Sequence, residues 1–452
     1  MFVIMESGGR KQAVMLKITF IGAGSTVFAK NVLGDIILTS EIADIELALF
    51  DIDVERMEDT RVMLEKIKAF SGRKDVKIQV YKNRRAAFCG AKFVINAVQV
   101  GGYEPCTVTD FEIPKKYGLR QTIGDTLGVG GVFRALRSIP VLQEFARDME
   151  RVCPDALFIN YANPMGILTG FLQRYTDVRT VGLCHSVQVC VKYLLEPLKM
   201  GKYIPNAVSL IAGINHQAWL LKIEDGEGND LYPEIKRRSR DPAYAENLQF
   251  DLVRHEIMHR FGYYNTESSE HTAEYSPYFI KKSHPELIER FNIPLDEYPR
   301  RCIQQMKEWE IQRKELVEKS ELSHEKSREY AAGIIRAVLT DDPIRINANV
   351  LNEGLISNLP PNACVEVPCL VDCNGVTPCV VGALPEPLAA LNRTNINVQL
   401  LAIEAAYTHK KDALYQACML DPHTSSELTM DEIVALCDEM IERHGAWMPK
   451  MI

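Results

Sequence analysis

One cysteine, two histidines and three asparagines stand in short polar clusters directly after apolar runs: Asn160-Tyr161-Ala162-Asn163-Pro164, Cys184-His185-Ser186 and Gly213-Ile214-Asn215-His216. The apolar runs read as strands, and an open α/β sheet gathers its ligands at the carboxyl ends of its strands. A Cys184 thiolate and a His216 imidazole converging there could hold a divalent cation and leave positions open for substrate oxygens. The same spacing also fits a buried thiol beside a helix-capping His and Ser. A thiolate ligand favours Zn²⁺ over Mn²⁺ on softness alone.

A second cluster lies near the start. Gly22-Ala23-Gly24-Ser25-Thr26 follows the apolar run 17–21 and precedes a helical period through Leu38. In a phosphate-binding turn the first glycine makes the tight bend, the second admits the pyrophosphate, and the helix N-terminus supplies amide donors. The third glycine of that fingerprint is absent, with Val27 in its place. Asp51 ends the next apolar run, where a carboxylate binds the adenosine ribose hydroxyls and repels a 2′-phosphate, so NAD is expected over NADP. Asn96, ahead of Gly101-Gly102, is a candidate for the cofactor wall, although a plain Gly-Gly turn explains that stretch equally well.

His255-Glu256-Ile257-Met258-His259 matches the H-E-x-x-H pattern of zinc proteases. No third ligand follows it, and a solvated helix face is the expected reading.

The elements that must position these groups alternate. Apolar strands are expected at 17–21, 45–50, 76–81, 92–98, 156–161 and 180–183, with helices between them. Such alternation implies a parallel sheet covered on both faces, a Rossmann-type domain over 16–200. From 201 to 452 a second domain is expected. Its strands are expected at 209–213, 219–225, 364–370 and 377–381, with a long amphipathic helix over 302–329 and a helical block over 397–443. Residues 1–15 read as an N-terminal extension. No linker separates the halves, so they should pack as one unit.

Composition narrows the classes. The 452 residues carry a formal charge of −8, 46% apolar and 25% charged residues, ordinary for a globular enzyme and unsuited to nucleic acid or anionic membrane. No window approaches the roughly 20 apolar residues of a membrane span. Twelve cysteines without a C-x-x-C pair read as reduced thiols, which points to the cytoplasm.

At these clusters the chain resembles glycoside hydrolase family 4. The segments 18–35 (ITFIGAGSTVFAKNVLGD), 101–111 (GGYEPCTVTDF), 160–165 (NYANPM), 182–188 (GLCHSVQ), 213–216 (GINH) and 366–385 carry the likeness, in collinear order. The resemblance implies an α/β Rossmann domain fused to a lactate-dehydrogenase-like α+β C-terminal half, with NAD and a divalent metal, usually Mn²⁺. It makes Cys184 and His216 the metal ligands, Asn163 a substrate contact, His185 the proton donor and Tyr275 the base, with Tyr264 as the alternative base. The Cys-His-Ser-Val sequence at Cys184 resembles the family's α-galactosidases, whereas its phospho-glycosidases have Cys-Asn/Asp-x-Pro. Its α-glucosidases and uronidases also share Cys-His. One departure is Gly128-Val129-Gly130-Gly131, where many relatives have Pro at the second position; this puts the rigidity of the Asp125 loop in question.

What the resemblance implies for mechanism is oxidation at C3 of an α-galactoside such as melibiose, loss of the C2 proton, departure of the glycosidic oxygen from C1, water addition and re-reduction. The family is a known exception to the paired-carboxylate rule. The resemblance also implies a homodimer or homotetramer, with 201–452 as the substrate- and metal-binding and oligomerisation domain. An ordinary NAD-dependent hydroxy-acid dehydrogenase remains a rival, but its Arg-x-x-His-style carboxylate clamp is not identifiable here.

Overall fold

The computed structural model describes residues 15–452, so the expected extension falls almost wholly outside them. Twelve strands form one sheet: β1 (Leu16–Ile21), β2 (Ile45–Phe50), β3 (Val76–Val80), β4 (Ala91–Asn96), β5 (Leu157–Asn160), β6 (Arg179–Gly182), β7 (Val208–Ile214), β8 (Gln217–Glu224), β9 (Tyr264–Asn265), β10 (Ile344–Leu351), β11 (Cys364–Asp372) and β12 (Gly375–Pro378). Their order is β3-β2-β1-β4-β5-β6-β10-β11-β7-β8-β9, with β12 beside β11. The first six are parallel, in the doubly wound order expected of a dinucleotide-binding sheet. The remaining pairs are antiparallel.

Both faces of the parallel half are covered, which explains why its strands read as unbroken apolar runs. Phe93, Ile95 and Ile159 join a core shared with the helices Val27–Ile37 and Val54–Phe70. Val94 and Phe158 point the other way, into a core built with Gly128–Val152, Met165–Tyr175 and Glu386–Thr408. Burying such a side chain stabilises the fold by about 1.5–3 kcal/mol, and these strands do so on both faces.

The joint between the halves is narrow. β6 meets β10 through the single pair Gly182–Asn349, and β11 meets β7 through the single pair Glu366–Gly213. Asn349 and Glu366 are themselves partners across β10 and β11. One line of register, Gly182–Asn349–Glu366–Gly213, therefore crosses four strands.

Two expectations need correction. The helix expected over 302–329 occupies Glu297–Arg313, relaxes through a π-helical turn at Lys314–Glu318, and ends. The chain from 319 to 329 then runs as a non-helical strap across the nucleotide half. Asp35 holds it there, accepting hydrogen bonds from the Ser327 backbone N–H and hydroxyl and contacting His324 Nε2 at 2.8 Å. Tertiary hydrogen bonding outweighs the weak helical preference of a serine-rich segment. The block expected over 397–443 starts earlier and breaks into Glu386–Thr408, Lys411–Leu420, Pro422–Glu427 and Met430–His444. The break after Thr408 has a left-handed His409, and those after Leu420 and Glu427 have extended residues at Asp421 and Leu428.

Candidate active site at the sheet joint

The nucleotide turn has the geometry its sequence requires. Gly22 adopts φ +86°, and a Cβ there would lie 2.7 Å from the Ala97 carbonyl. A Cβ on Gly24 would meet the Asp51 carboxylate at 2.9 Å. Asp51 Oδ2 accepts the Gly24 N–H at 2.7 Å, and its Oδ1 accepts the Asp53 N–H at 2.8 Å. Ser25 keeps a buried hydroxyl with no protein partner at the start of the following helix. This glycine cradle, with an orphaned donor and a carboxylate at the end of β2, fits a dinucleotide. Asn96 is placed differently from the wall residue expected: it is fully buried, and its amide donates to Asn160 Oδ1 at 2.8 Å. It ties β4 to β5 beneath the cleft.

At the joint, Cys184 and His216 do converge, and a residue not singled out beforehand joins them. Glu267 Oε2 lies 3.3 Å from His216 Nε2 and 3.9 Å from Cys184 Sγ, and all three ligand atoms fall within 4.8 Å of one another. His216 sits at φ +63° in the turn between β7 and β8, which swings its ring back over the sheet end. Ser186 Oγ lies 3.3 Å from Cys184 Sγ. Burial, then Glu366 and Glu267, push the Cys184 thiol well above its ordinary range. Burial also lifts the Glu366 carboxyl to about 8. Glu267 stays depressed, because His216 and His271 outweigh the effect of its burial. Around the cluster, His216 Nδ1, Glu366 Oε2 and both amide atoms of Asn215 are buried without partners. A thiol, an imidazole and a carboxylate, ringed by unsatisfied polar atoms, are the donor set a divalent cation would complete.

Beside this cluster lies a second group of polar side chains. Asn163 Nδ2 donates to Asp125 Oδ2 at 3.1 Å, and His271 Nε2 stands 3.6 Å from Asp125 Oδ1. Burial would raise the Asp125 carboxyl, but His271 and Arg134 hold it well below the usual carboxylate range. Its loop is firmly held. Glu274 accepts the backbone N–H groups of Thr122, Ile123 and Gly124. Gly130 and Gly131 pack so close that a Cβ on either would lie 2.4 or 2.5 Å from loop backbone. The Val129 departure thus leaves a tightly packed loop.

Tyr275 follows Glu274 directly. Its ring centre is 6.4 Å from that of His216, and its hydroxyl is buried without a protein hydrogen-bond partner. Burial, with Asp125 and Glu267 adding to it, raises its phenol well above the ordinary value. Tyr264 is placed otherwise: its hydroxyl donates to Asp251, beside Arg254. His185 is half-exposed next to the thiol, paired with Glu329 at the end of the strap, and this bond raises its pKa.

The H-E-x-x-H segment is neither a ligand cluster nor the solvated face expected, since His255, Ile257 and Met258 are buried. His255 faces Asp251, Glu256 pairs with Arg260, and His259 contacts Ser239. Glu267, His271 and Glu274, none of them singled out from the sequence, lie between the two candidate bases Tyr264 and Tyr275. Their signal was three ionisable residues at near-helical spacing just upstream of Tyr275.

Comparisons agree along the whole chain. Residues 17–200 match the model of the family 4 glycosyl hydrolases, and 211–424 match that of the family 4 glycosyl hydrolase C-terminal domain. An α-galactosidase of Bacillus subtilis (strain 168) is 56% identical over 436 residues, covering 96% of this chain and 100% of that one. An α-galactosidase of Rhizobium meliloti (strain 1021) is 33% identical, covering 96% and 89%. Among solved structures, the putative glucosidase lplD from Bacillus subtilis superposes with a TM-score of 0.84 at 25% identity, covering 94% and 99%. The 6-phospho-β-glucosidase from Thermotoga maritima, solved with manganese, NAD⁺ and glucose-6-phosphate, gives 0.77 at 23%, covering 96% and 99%. The malate dehydrogenase from Plasmodium falciparum gives 0.53 at 13%, covering 87% and 99%, and shares the fold.

Proposed function

Because the chain belongs to the family 4 glycosyl hydrolases, we propose that it is an α-galactosidase that hydrolyses small α-galactosides such as melibiose, using NAD and Mn²⁺. The observation that carries the substrate is the 56% identity to an α-galactosidase over nearly the full length of both chains. The arrangement of the site supports the chemistry. Gly22, Gly24, Ser25 and Asp51 would hold the dinucleotide, and Cys184, His216 and Glu267 the cation. Bound there, the dinucleotide would supply a hydride acceptor and donor for the sugar, and the cation a Lewis acid for a sugar oxygen.

The chain's own residues do the rest. Asn163 and Asp125, held by the clamped loop, present an amide and a carboxylate to sugar hydroxyls. Tyr275, whose oxygen has no protein partner, would take the C2 proton as its phenolate, a form that positive charge from a bound cation would favour against the opposing effect of burial. His185, paired with Glu329, donates to the glycosidic oxygen as it leaves C1. Water then adds, and re-reduction leaves no net oxidation.

We place the enzyme in the cytoplasm as a homodimer or homotetramer, without nucleic-acid or membrane partners. All twelve cysteines are free thiols, which suits a reducing compartment. The helix Glu297–Arg313 has no buried residue and exposes Ile303, Met306 and Ile311, an apolar face suited to a second copy. Among the described residues no helix is long and apolar enough to cross a membrane.

The test is hydrolysis of p-nitrophenyl α-galactoside with NAD, Mn²⁺ and thiol, omitting each in turn, then melibiose hydrolysis in D₂O. Dependence on NAD and Mn²⁺, with deuterium at C2 of the released galactose, is expected. Hydrolysis without NAD, with neither exchange nor an isotope effect at C2 or C3, would sink the redox mechanism. Net NADH production from a 2-hydroxy acid would make the protein a dehydrogenase.

A further inference from the structure

Cys184 and His216 belong to strands that are not neighbours. Between β6 and β7 stand β10 and β11. At about 4.8 Å per strand, Gly182 and Gly213 start roughly 14 Å apart, yet the ligand atoms two and three residues further on lie within 4.8 Å. Something must fix how far the two loops lean together.

The in-register pair Asn349 and Glu366 fills that gap. Both are fully buried. Asn349 Nδ2 lies 3.3 Å from Glu366 Oε1 and 3.4 Å from the Gly182 carbonyl. The flanking positions are glycines for a steric reason. A Cβ on Gly182 would sit 3.0 Å from Asn349 Cβ and 2.5 Å from Met165 Sδ; on Gly213 it would sit 2.6 Å from the Gln217 carbonyl. Buried polar side chains are costly unless hydrogen-bonded, and this pair offsets only part of that cost, since Asn349 Oδ1 and Glu366 Oε2 remain without partners.

We infer that Asn349 and Glu366 are positioning residues for the cation: a hydrogen-bonded spacer across two strands that sets the bite between Cys184 and His216. Their part is spacing rather than coordination, and Glu366 Oε2, buried without a partner, is the atom through which direct ligation would compete. The inference rests on the reading that Cys184 and His216 hold the cation. Outer partners of this kind are worth 10- to 100-fold in metal affinity in general.

The test is Co²⁺ titration of the metal-free full-length protein, following the thiolate-to-cobalt charge-transfer band, with NADH binding and thermal melting without metal as controls. Glu366→Ala and Asn349→Ala are expected to weaken Co²⁺ by about 10- to 100-fold and to alter the band, with NADH binding retained. Glu366→Gln keeps the shape and an acceptor for Asn349, and is expected to restore affinity to within about threefold of the parent. If the alanine variants fail to fold, Glu366→Gln decides alone. A loss in Glu366→Gln as large as about tenfold would mean that charge or direct ligation, not spacing, is at work, and would overturn the inference. So would unchanged cobalt affinity in folded Glu366→Ala. A parent protein lacking the band altogether would remove the cation reading and the spacer with it.

Discussion

Glu267 Oε2 lies 3.3 Å from His216 Nε2, although 51 residues and two elements of the sheet separate the two positions in the chain. With Cys184 it makes up a three-donor set whose ligand atoms all lie within 4.8 Å of one another.

Cys184→Ser and His216→Ala should each lose Mn²⁺ and activity by more than about 100-fold while the melting temperature of the metal-free protein changes little. Glu267→Gln should weaken Mn²⁺ less, because an amide oxygen can still coordinate. Equilibrium dialysis against Mn²⁺ checks all three; stoichiometric metal in Cys184→Ser would remove the thiol from the set.

Tyr275→Phe and Tyr264→Phe should fail in different ways. The first should abolish C2 exchange in D₂O while NAD and galactoside still bind. The second should lose about 1–3 kcal/mol of stability through the broken bond to Asp251, with turnover per folded molecule close to the parent's. Reversed results would make Tyr264 the base.

Asp51→Ala should both release the Gly24 N–H and remove the charge that opposes a 2′-phosphate. Its NAD affinity should fall, and a preference for NAD of roughly 100-fold should narrow to about tenfold. Equal activation of the unmutated enzyme by NADP would exclude Asp51 from cofactor selection.

Asp148, almost fully buried between Arg84 and Arg85, supports a pH prediction. The two guanidiniums hold its carboxyl below the ordinary 3.8 against the opposing effect of burial. A depressed folded-state pKa stabilises above the unfolded value and ceases to do so as pH falls through the folded one. Asp148→Asn should therefore be less stable than the parent by about 1–3 kcal/mol at pH 7. The gap should close below about pH 4, as denaturant melts at both pH values can show.

The nucleotide turn was legible because its signal is local: Gly22, Gly24 and the strand before them are contiguous, and Asp51 ends the next strand. The Cys184 and His216 clusters were legible for the same reason. Glu267 was not, since no short pattern links it to Cys184, and only the sheet brings them together. β10 escaped notice because its alternation, Ile344, Ile346, Ala348 and Val350 against Arg345, Asn347 and Asn349, places asparagines where strands disfavour them. Asn349 lies on what looks like a polar face but is wholly buried at the joint. The strap was missed because its contacts with Asp35 span 289 residues of sequence.

The narrow joint also orders events on the ribosome. Asn349, which closes the open edge at Gly182, follows it by 167 residues. At 5–20 residues per second, β6 waits roughly 10–30 s for its antiparallel neighbour. During that interval the nascent nucleotide half carries an unpaired strand edge, a template for mispairing with another nascent chain. The joint between Cys184 and His216 thus closes only after the cradle strands have emerged, and chaperones that shield strand edges should engage this protein before residue 349 emerges.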